Sequence, residues 1–397
     1  MALDFPNNPS LNQIFTSPSG KRWKWNGVKW TGFGGAEPVL SLSAINTPTV
    51  NLNYNTDTKI LSGLVNDSSL TNTKLAFDGG SFCFRNKIIN GGFDIWQRGT
   101  TFTGVGAGVF TADRWTTSSS TATLNKNILR QPMSVSDLPF TEAGLTYCLR
   151  ASYTSGTNTS ELPICQPIEL TRTGSPGPFK SGQIYTLSYY ARCQSNNTIR
   201  WSLQFRDNSN TGTNASQGPS ELQTITTSWT RYSHTFTLHS PNATNTSLCV
   251  TFTNNATPAN TNIDITGVQL EEGSVVTPFE QRPIGTELAL CQRYYEKSYN
   301  IDVTPGTANS AAYIQEYSIS GSLRFIVDFK TSKRAVPTIV IYNPRLNNTT
   351  GSAWRLEDNA NIGVTPGPTS TEGFHTGGVG SLSFGNYYIH YTASAEI

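Results

Sequence analysis

Eleven consecutive residues, GKRWKWNGVKW from Gly20 to Trp30, hold Trp23, Trp25 and Trp30 together with Lys21, Arg22, Lys24 and Lys29. Indole rings beside cations can stack on bases while the charges meet phosphates, can anchor at a membrane interface, or can bury against a partner protein. A second set lies in the strand-like runs YTLSYYARC and TIRWSLQFRD, where Tyr190, Arg192, Arg200, Gln204 and Arg206 take alternate positions beside inward-reading residues. Sugars stack on aromatic planes and hydrogen-bond to planar polar groups, which makes this polar face a candidate ligand-binding surface. The plainer alternative is a solvated sheet face, or one covered by a neighbouring subunit. Trp201 and Trp229 read as core residues.

Catalytic patterns are missing. Gly20-Lys21 is not a phosphate-binding loop, because the glycine required five positions earlier is Phe15. Neither a Gly-x-Ser-x-Gly elbow nor a His-Glu-x-x-His helix occurs. The six cysteines are widely scattered and the four histidines are not spaced to complete a zinc site, so free, buried thiols are expected. No catalytic residue is assigned, and the chain is read as a binding protein and not an enzyme. A pair of carboxylates assembled by the fold, as in a glycosidase, is the enzymatic alternative.

The elements that must position these residues read as β-structure. Hydrophobic alternation at period two recurs along the 397 residues, and period 3.6 is convincing only near 286–297, where Leu288, Cys291 and Tyr295 fall on one helical face. Only 14% of residues are charged and the formal net charge is +2, so no broad basic surface extends the tryptophan stretch toward nucleic acid. No apolar run is long enough to span a bilayer and no secretory leader is evident, which predicts a soluble protein made in a cytoplasm, without membrane insertion.

Asn26-Gly27 is the preferred dipeptide of a two-residue hairpin turn. That turn sets Trp25 opposite Val28, Lys24 opposite Lys29 and Trp23 opposite Trp30, so the rings and Val28 share one face and the lysines the other. Ile14 and Phe15 supply a third strand through a turn at Ser17–Gly20. A module this small cannot bury such a face alone, so Phe15, Trp23, Trp25, Val28 and Trp30 are expected to dock on another protein or on copies of the chain.

Four regions follow from the pattern: a docking module over 1–33, a linker or intertwined shaft over 34–85, a β-sandwich over 86–285, and a short helix with a smaller β domain over 286–397. The shaft reading rests on short apolar pulses such as Val50, Leu52, Tyr54, Leu70 and Leu75. In the sandwich, Tyr185, Leu187, Tyr189, Ala191 and Cys193 oppose Ser188, Tyr190 and Arg192, and Ile199, Trp201, Leu203 and Phe205 oppose Arg200, Gln204 and Arg206. In the last region AAYIQEYSISGSLRFIVDFK reads as a hairpin turning near Ser320-Gly321, and Trp354, His375, Tyr387 and Tyr388 would matter if that region were distal.

LDFPNNPSLNQIFTSPSGKRWKWNGVKWTG resembles the amino-terminal module of bacteriophage tail-fibre and virion structural proteins, and LVNDSSLTNTKLA resembles their shaft elements. NKIINGGFDIWQRGTTF with FTADRWTT is similar to the start of a phage jelly-roll module, and GVQLEEGSVVTPFEQRPIG to its end. RAVPTIVIYNP resembles the end domain of those proteins, and the sandwich also resembles jelly-roll carbohydrate-binding modules. The resemblance implies a homotrimer in a virion, docked through its N-terminus to another virion protein, with its β domains facing a host surface glycan. It also offers a site for a structural Ca²⁺ near Asp94 and Asp264; the plainer reading makes these two ordinary strand-end and turn residues, with no cofactor. The alternatives are an adaptor or decoration protein of head, neck or tail, and a host-glycan depolymerase.

Overall fold

The computed structural model describes residues 5–17, 21–33, 50–55, 60–65, 84–117, 126–134, 137, 144–153, 164–170, 179–195, 197–206, 217–239, 246–254, 261–309, 311, 313–318, 322–377, 379–380 and 383–397. The pulses at Leu70 and Leu75, Cys83, and the turn residues Pro18–Gly20 and Ser320-Gly321 lie outside them. The chain divides into two compact units, Met1–Leu75 and Ala76–Ile397.

In the first unit β1 (Ile14–Thr16), β2 (Arg22–Trp25) and β3 (Trp30–Phe33) form an antiparallel meander, and β4 (Val50–Asn55) pairs with β5 (Ile60–Val65). The β2–β3 register differs from the expected one: Trp25 faces Trp30, Lys24 faces Thr31 and Trp23 faces Gly32. The reason is local. Asn26 Oδ1 accepts hydrogen bonds from the backbone N–H groups of Val28 and Lys29, which closes a four-residue loop with Gly27 at φ +96°. Val28 therefore sits at the loop tip, 82% exposed and off the aromatic face.

The second unit begins with a β-sandwich. Its strands are β6 (Thr101–Phe102), β7 (Thr116–Thr117), β8 (Lys126–Pro132), β9 (Tyr147–Tyr153), β10 (Ile164–Glu169), β11 (Ile184–Cys193), β12 (Asn197–Arg206), β13 (Gln217–Ile225), β14 (Thr230–Thr237), β15 (Ser247–Asn254) and β16 (Thr261–Glu272). A five-stranded sheet ordered β13-β12-β15-β10-β7 faces a six-stranded sheet ordered β14-β11-β16-β9-β8-β6. Their inner faces enclose the main core, where Tyr185, Leu187 and Tyr189 from one sheet meet Trp201, Leu203 and Phe252 from the other. The period-two assignment of inward residues on β11 and β12 holds, because alternation is fixed by the pleat.

The segment before β6 is a buried loop. Asn90, at φ +57°, gives its side-chain amide to Ile95 O and Asp113 O and accepts from Ile95 N, and Trp115 Nε1 donates to Asn90 O. NGGFDIWQRG and ADRW thus belong to one hydrogen-bonded unit.

α1 (Ile284–Gln292) is the one helix among the described residues. It is shorter than its periodicity suggested: Tyr295 lies in β17 (Tyr295–Lys297), which pairs with β27 (Gly385–Ser394) instead of continuing the helix. Between them run β18 (Ile314–Ser318), β19 (Ser322–Leu323), β20 (Ile326–Asp328), β21 (Thr338–Tyr342), β22 (Ser352–Arg355), β23 (Ala360–Gly363), β24 (Pro366–Thr369), β25 (Gly373–Thr376) and β26 (Val379–Gly380). Among the described residues the hairpin expected over 311–330 is not seen. β18 pairs with β27 and β19 with β26, since the ten-residue β27 offers a longer ladder than a local turn.

The segment after β27 is tied to the sandwich. Glu396 pairs with Arg98 at 2.9 Å and with Arg114, whose guanidinium also lies 3.4 Å over the Tyr294 ring and donates to Pro167 O. No helix among the described residues is long and apolar enough to cross a membrane. The broad expectation, an all-β chain with one short helix, holds.

Candidate functional site

The N-terminal aromatic face is partly self-covered. Phe15 and Trp23 are cross-strand neighbours, as are Trp25 and Trp30, so all four rings share a face. Phe5 closes over them, stacked on Trp30 at 5.3 Å and within 4.9 Å of Phe15 and 5.4 Å of Trp23. Trp23, Trp25 and Trp30 remain half-buried. Phe5 was not foreseen, because a lone aromatic ahead of the strands carries no periodic signal.

The five residues read as one polar surface do not form one. Tyr190 and Arg192 project from β11 in the six-stranded sheet, whereas Arg200, Gln204 and Arg206 project from β12 in the five-stranded sheet. They occupy opposite outer faces of the sandwich, because the chain crosses between sheets after Cys193.

The outer face at Tyr190 is sealed by the protein's own chain. Tyr190 is 4% exposed, beneath the Arg231 guanidinium at 5.6 Å. A Cβ on Gly267 would come within 2.9 Å of the Tyr190 ring, so that position admits only glycine at φ +58°. Residues 277–280 lie across the sheet: Thr277 bonds Glu271 through both N and Oγ1, Glu280 N donates to Gln269 Oε1, and Arg231 Nη2 donates to Thr277 O. Residues 277–280 thus form a cover strip over this face.

Arg192 belongs to an ion-pair network. Asp264 Oδ1 and Oδ2 take a bidentate pair from Arg150 at 2.7 and 2.8 Å, and Oδ2 also accepts from Arg192 Nε at 3.0 Å. Arg192 continues to Asp137 at 3.0 Å and lies 4.8 Å over the Trp229 ring. The two carboxylates of the calcium expectation, Asp94 and Asp264, have separate partners. Asp264 is already neutralised by two guanidiniums, while Asp94 accepts from Thr146 Oγ1, four residues before Arg150 and on the order of 13 Å away along the strand. Burial raises the Asp94 pKa, opposed by the Thr146 hydrogen bond. Among the described residues no group of three or more His, Cys, Asp or Glu side chains is arranged to hold a metal.

The outer face of the five-stranded sheet keeps the other three candidates together. Arg206, 3% exposed, donates to Gln204 Oε1 at 2.8 Å and approaches Cys165 Sγ at 3.7 Å. Arg200 donates to Ser220 Oγ at 3.3 Å, and Leu222 stands exposed directly across from it. Thr251, on the neighbouring β15, buries its Oγ1 without a hydrogen-bond partner among the described residues. The face grades from an accessible edge at Leu222, Arg200 and Gln204 to a buried polar floor at Arg206 and Thr251, an arrangement that can donate to and accept from hydroxyl groups.

Where β13 and β14 border the opening between the sheets, His234 stacks on Trp201 at 4.4 Å. Its Nδ1 is 3.5 Å from Glu221 and its Nε2 3.4 Å from the Tyr189 hydroxyl. Burial lowers the His234 pKa, and the Glu221 carboxylate works against that shift. The sequence assignment of Trp201 to the core is met, whereas His234 was missed although it alternates with Tyr232 and Phe236. Cys148, Cys165, Cys193, Cys249 and Cys291 are buried free thiols.

Residues 149–258, from within β9 to past β15, match the family model described as a carbohydrate binding domain. Among solved structures, one titled "CBM4 structure and function" is similar at 16% identity and TM-score 0.26, covering 32% of this chain and 84% of its own. The N-terminal cellulose-binding domain of β-1,4-glucanase C from Cellulomonas fimi is similar at 15% identity and TM-score 0.24, covering 33% of this chain and 82% of its own. The enzymatically active domain of bacteriophage CBA120 tailspike protein 4 is similar at 15% identity and TM-score 0.31 over 48% of this chain, which spans 22% of that one. No curated protein sequence matches the chain.

Proposed function

We propose that this chain is a glycan-binding attachment protein of the bacteriophage fibre kind, acting by adhesion and not by catalysis. The observation that carries the reading is the match of residues 149–258 to a carbohydrate binding domain. That stretch contains β12, β13 and β15, which bear Arg200, Gln204, Arg206, Leu222 and Thr251 on one outer face. A saccharide would lie along the edge at Leu222, with Arg200 and Gln204 as hydrogen-bond partners. No cofactor is required for this.

The virion role rests on the N-terminal resemblance and on the half-buried ring cluster of Phe5, Phe15, Trp23, Trp25 and Trp30 in a unit of its own. In this reading the cluster docks on another virion protein, three copies assemble, and the β domains face the host surface.

Adsorption of the purified chain to host cells tests the proposal. The native protein is expected to block infection, and Arg200→Ala with Gln204→Ala to weaken binding to isolated host surface polysaccharide about tenfold, the worth of one or two hydrogen bonds. Binding unchanged by the double variant removes the assigned face. No adsorption at all favours a decoration protein, and released oligosaccharide favours a depolymerase. Light scattering should give about 130 kDa, three times the 43.3 kDa chain.

A further inference from the structure

The C-terminal sheet carries a second assembly of sugar-suited groups, in a region that the carbohydrate-domain match does not reach. Asn361 of β23, Trp354 of β22, Tyr388 of β27 and Gln315 of β18 form one cross-strand row. The neighbours Ala353, Tyr387, Ile389 and Ile314 point the other way, into the domain's core. Tyr388 lies 5.5 Å from Trp354, and Tyr313 stands edge-on to Tyr388 at 4.5 Å.

Beside the indole a cavity of about 400 Å³ is lined by Arg345, Leu346, Trp354, Leu356, Asn359 and Asn361. The volume falls within the range of small-ligand sites. Leu346 and Leu356 are exposed. Asn361 Oδ1 accepts from Asn343 Nδ2, which leaves the Asn361 amide hydrogens for another acceptor.

Charge decides the ligand class. Arg345 is exposed, with its guanidinium 4.6 Å from the Trp354 ring, and it forms no ion pair among the described residues. The two carboxylates that follow Leu356 are committed elsewhere. Glu357 accepts from Asn386 N and Nδ2, and Asp358 is paired with Arg355 and accepts from Ala360 N. The cavity therefore offers one uncompensated, pre-positioned guanidinium, two leucines, an indole and two amides, and no lining acid.

We propose that this cavity binds a saccharide residue bearing a carboxylate, a hexuronic or nonulosonic acid. Arg345 pairs with the carboxylate, Leu346 and Leu356 with the rim of the largely buried Trp354 meet the apolar side of the ring, and Asn359 and Asn361 meet its hydroxyls. The site is independent of the sandwich face.

Calorimetric titration of the full chain with trigalacturonate, its methyl ester and an α2,8-linked sialic acid trimer tests the inference and distinguishes the two acid sources. At least one acidic trisaccharide should bind. For trigalacturonate, the ester should bind at least about tenfold more weakly, as loss of a charge-assisted pair requires. Arg345→Gln, at an exposed position, should keep the native unfolding midpoint and lose at least about tenfold in affinity for the acid that binds. Arg200→Ala with Gln204→Ala should leave this binding unchanged, so the two sites fail separately. Equal binding of trigalacturonate and its ester, unchanged affinity of Arg345→Gln, or no heat from either acid at millimolar concentration overturns the inference.

Discussion

Asp264→Asn is the sharpest perturbation of the sandwich. The substitution keeps the shape of the side chain and removes the negative charge that sits between Arg150 and Arg192. Breaking a buried ion pair by removing one partner costs about 3–5 kcal/mol. Here Arg150 and Arg192 keep 25% and 27% of their side-chain surface in water, which lowers the figure to about 2–3 kcal/mol. For a sandwich of this size the same loss moves the thermal midpoint down by about 4–12 °C. Urea unfolding at pH 7 measures it, with Arg192→Gln made in both backgrounds. That second change should cost at least about 1 kcal/mol less when Asp264 is already Asn, because the two residues share one interaction. A loss under about 0.5 kcal/mol, or strict additivity of the two changes, refutes the ion-pair account. So does a rise in native stability on adding millimolar calcium after chelation, since the account leaves Asp264 no free oxygen for an ion.

Phe5→Ala should destabilise the N-terminal unit by about 2 kcal/mol, below the full-core value because the rings it covers are only half-buried; near-ultraviolet circular dichroism of the tryptophans reports it, and an unchanged signal and midpoint count against Phe5 as the cover. His390 is buried between Ser298 Oγ and Asn309 O, and burial lowers its pKa. Its contribution to stability is therefore fully present above the ordinary value near pH 6.5 and is lost as the pH falls from there toward the folded value; an imidazole NMR titration with a midpoint above 6.5 contradicts this. The thiols of Cys148, Cys193, Cys249 and Cys291 are pushed up, by burial first for Cys148, Cys193 and Cys291 and by the Cys165 hydrogen bond first for Cys249. All five described cysteines, Cys165 included, should stay silent to a disulfide reagent until urea unfolds the chain, and rapid labelling of the folded protein at any of them opposes their placement.

What could be read in advance follows the range of the forces involved. The inward positions of Tyr185, Leu187, Tyr189, Trp201 and Leu203 were legible because alternation along a strand needs no knowledge of the partner strand. Register was less so: the Asn-Gly dipeptide suggested a two-residue turn, and the Asn26 side chain took over backbone acceptor duty to make a longer one. The polar candidates failed as a group for a non-local reason. β11 and β12 are consecutive in the chain yet lie in different sheets, so residues close in sequence face opposite ways. Tyr190 looked like a surface ring because nothing in its own strand announces that residues 277–280 return over it. The end of α1 was hidden similarly, since Tyr295 fits the helical period but gains a β27 ladder hydrogen bond.

β27 is paired with β17, β18, β21 and β22. During synthesis those four strands leave the ribosome before the segment that joins them, and a nascent chain stopped before Gly385 holds several unmated edges with nothing to zip them together. The domain is thus closed by a keystone laid last. Messages truncated within or before this strand should give products that aggregate or are degraded, not shorter working versions, and refolding of this domain from denaturant should be slow compared with a domain of local hairpins.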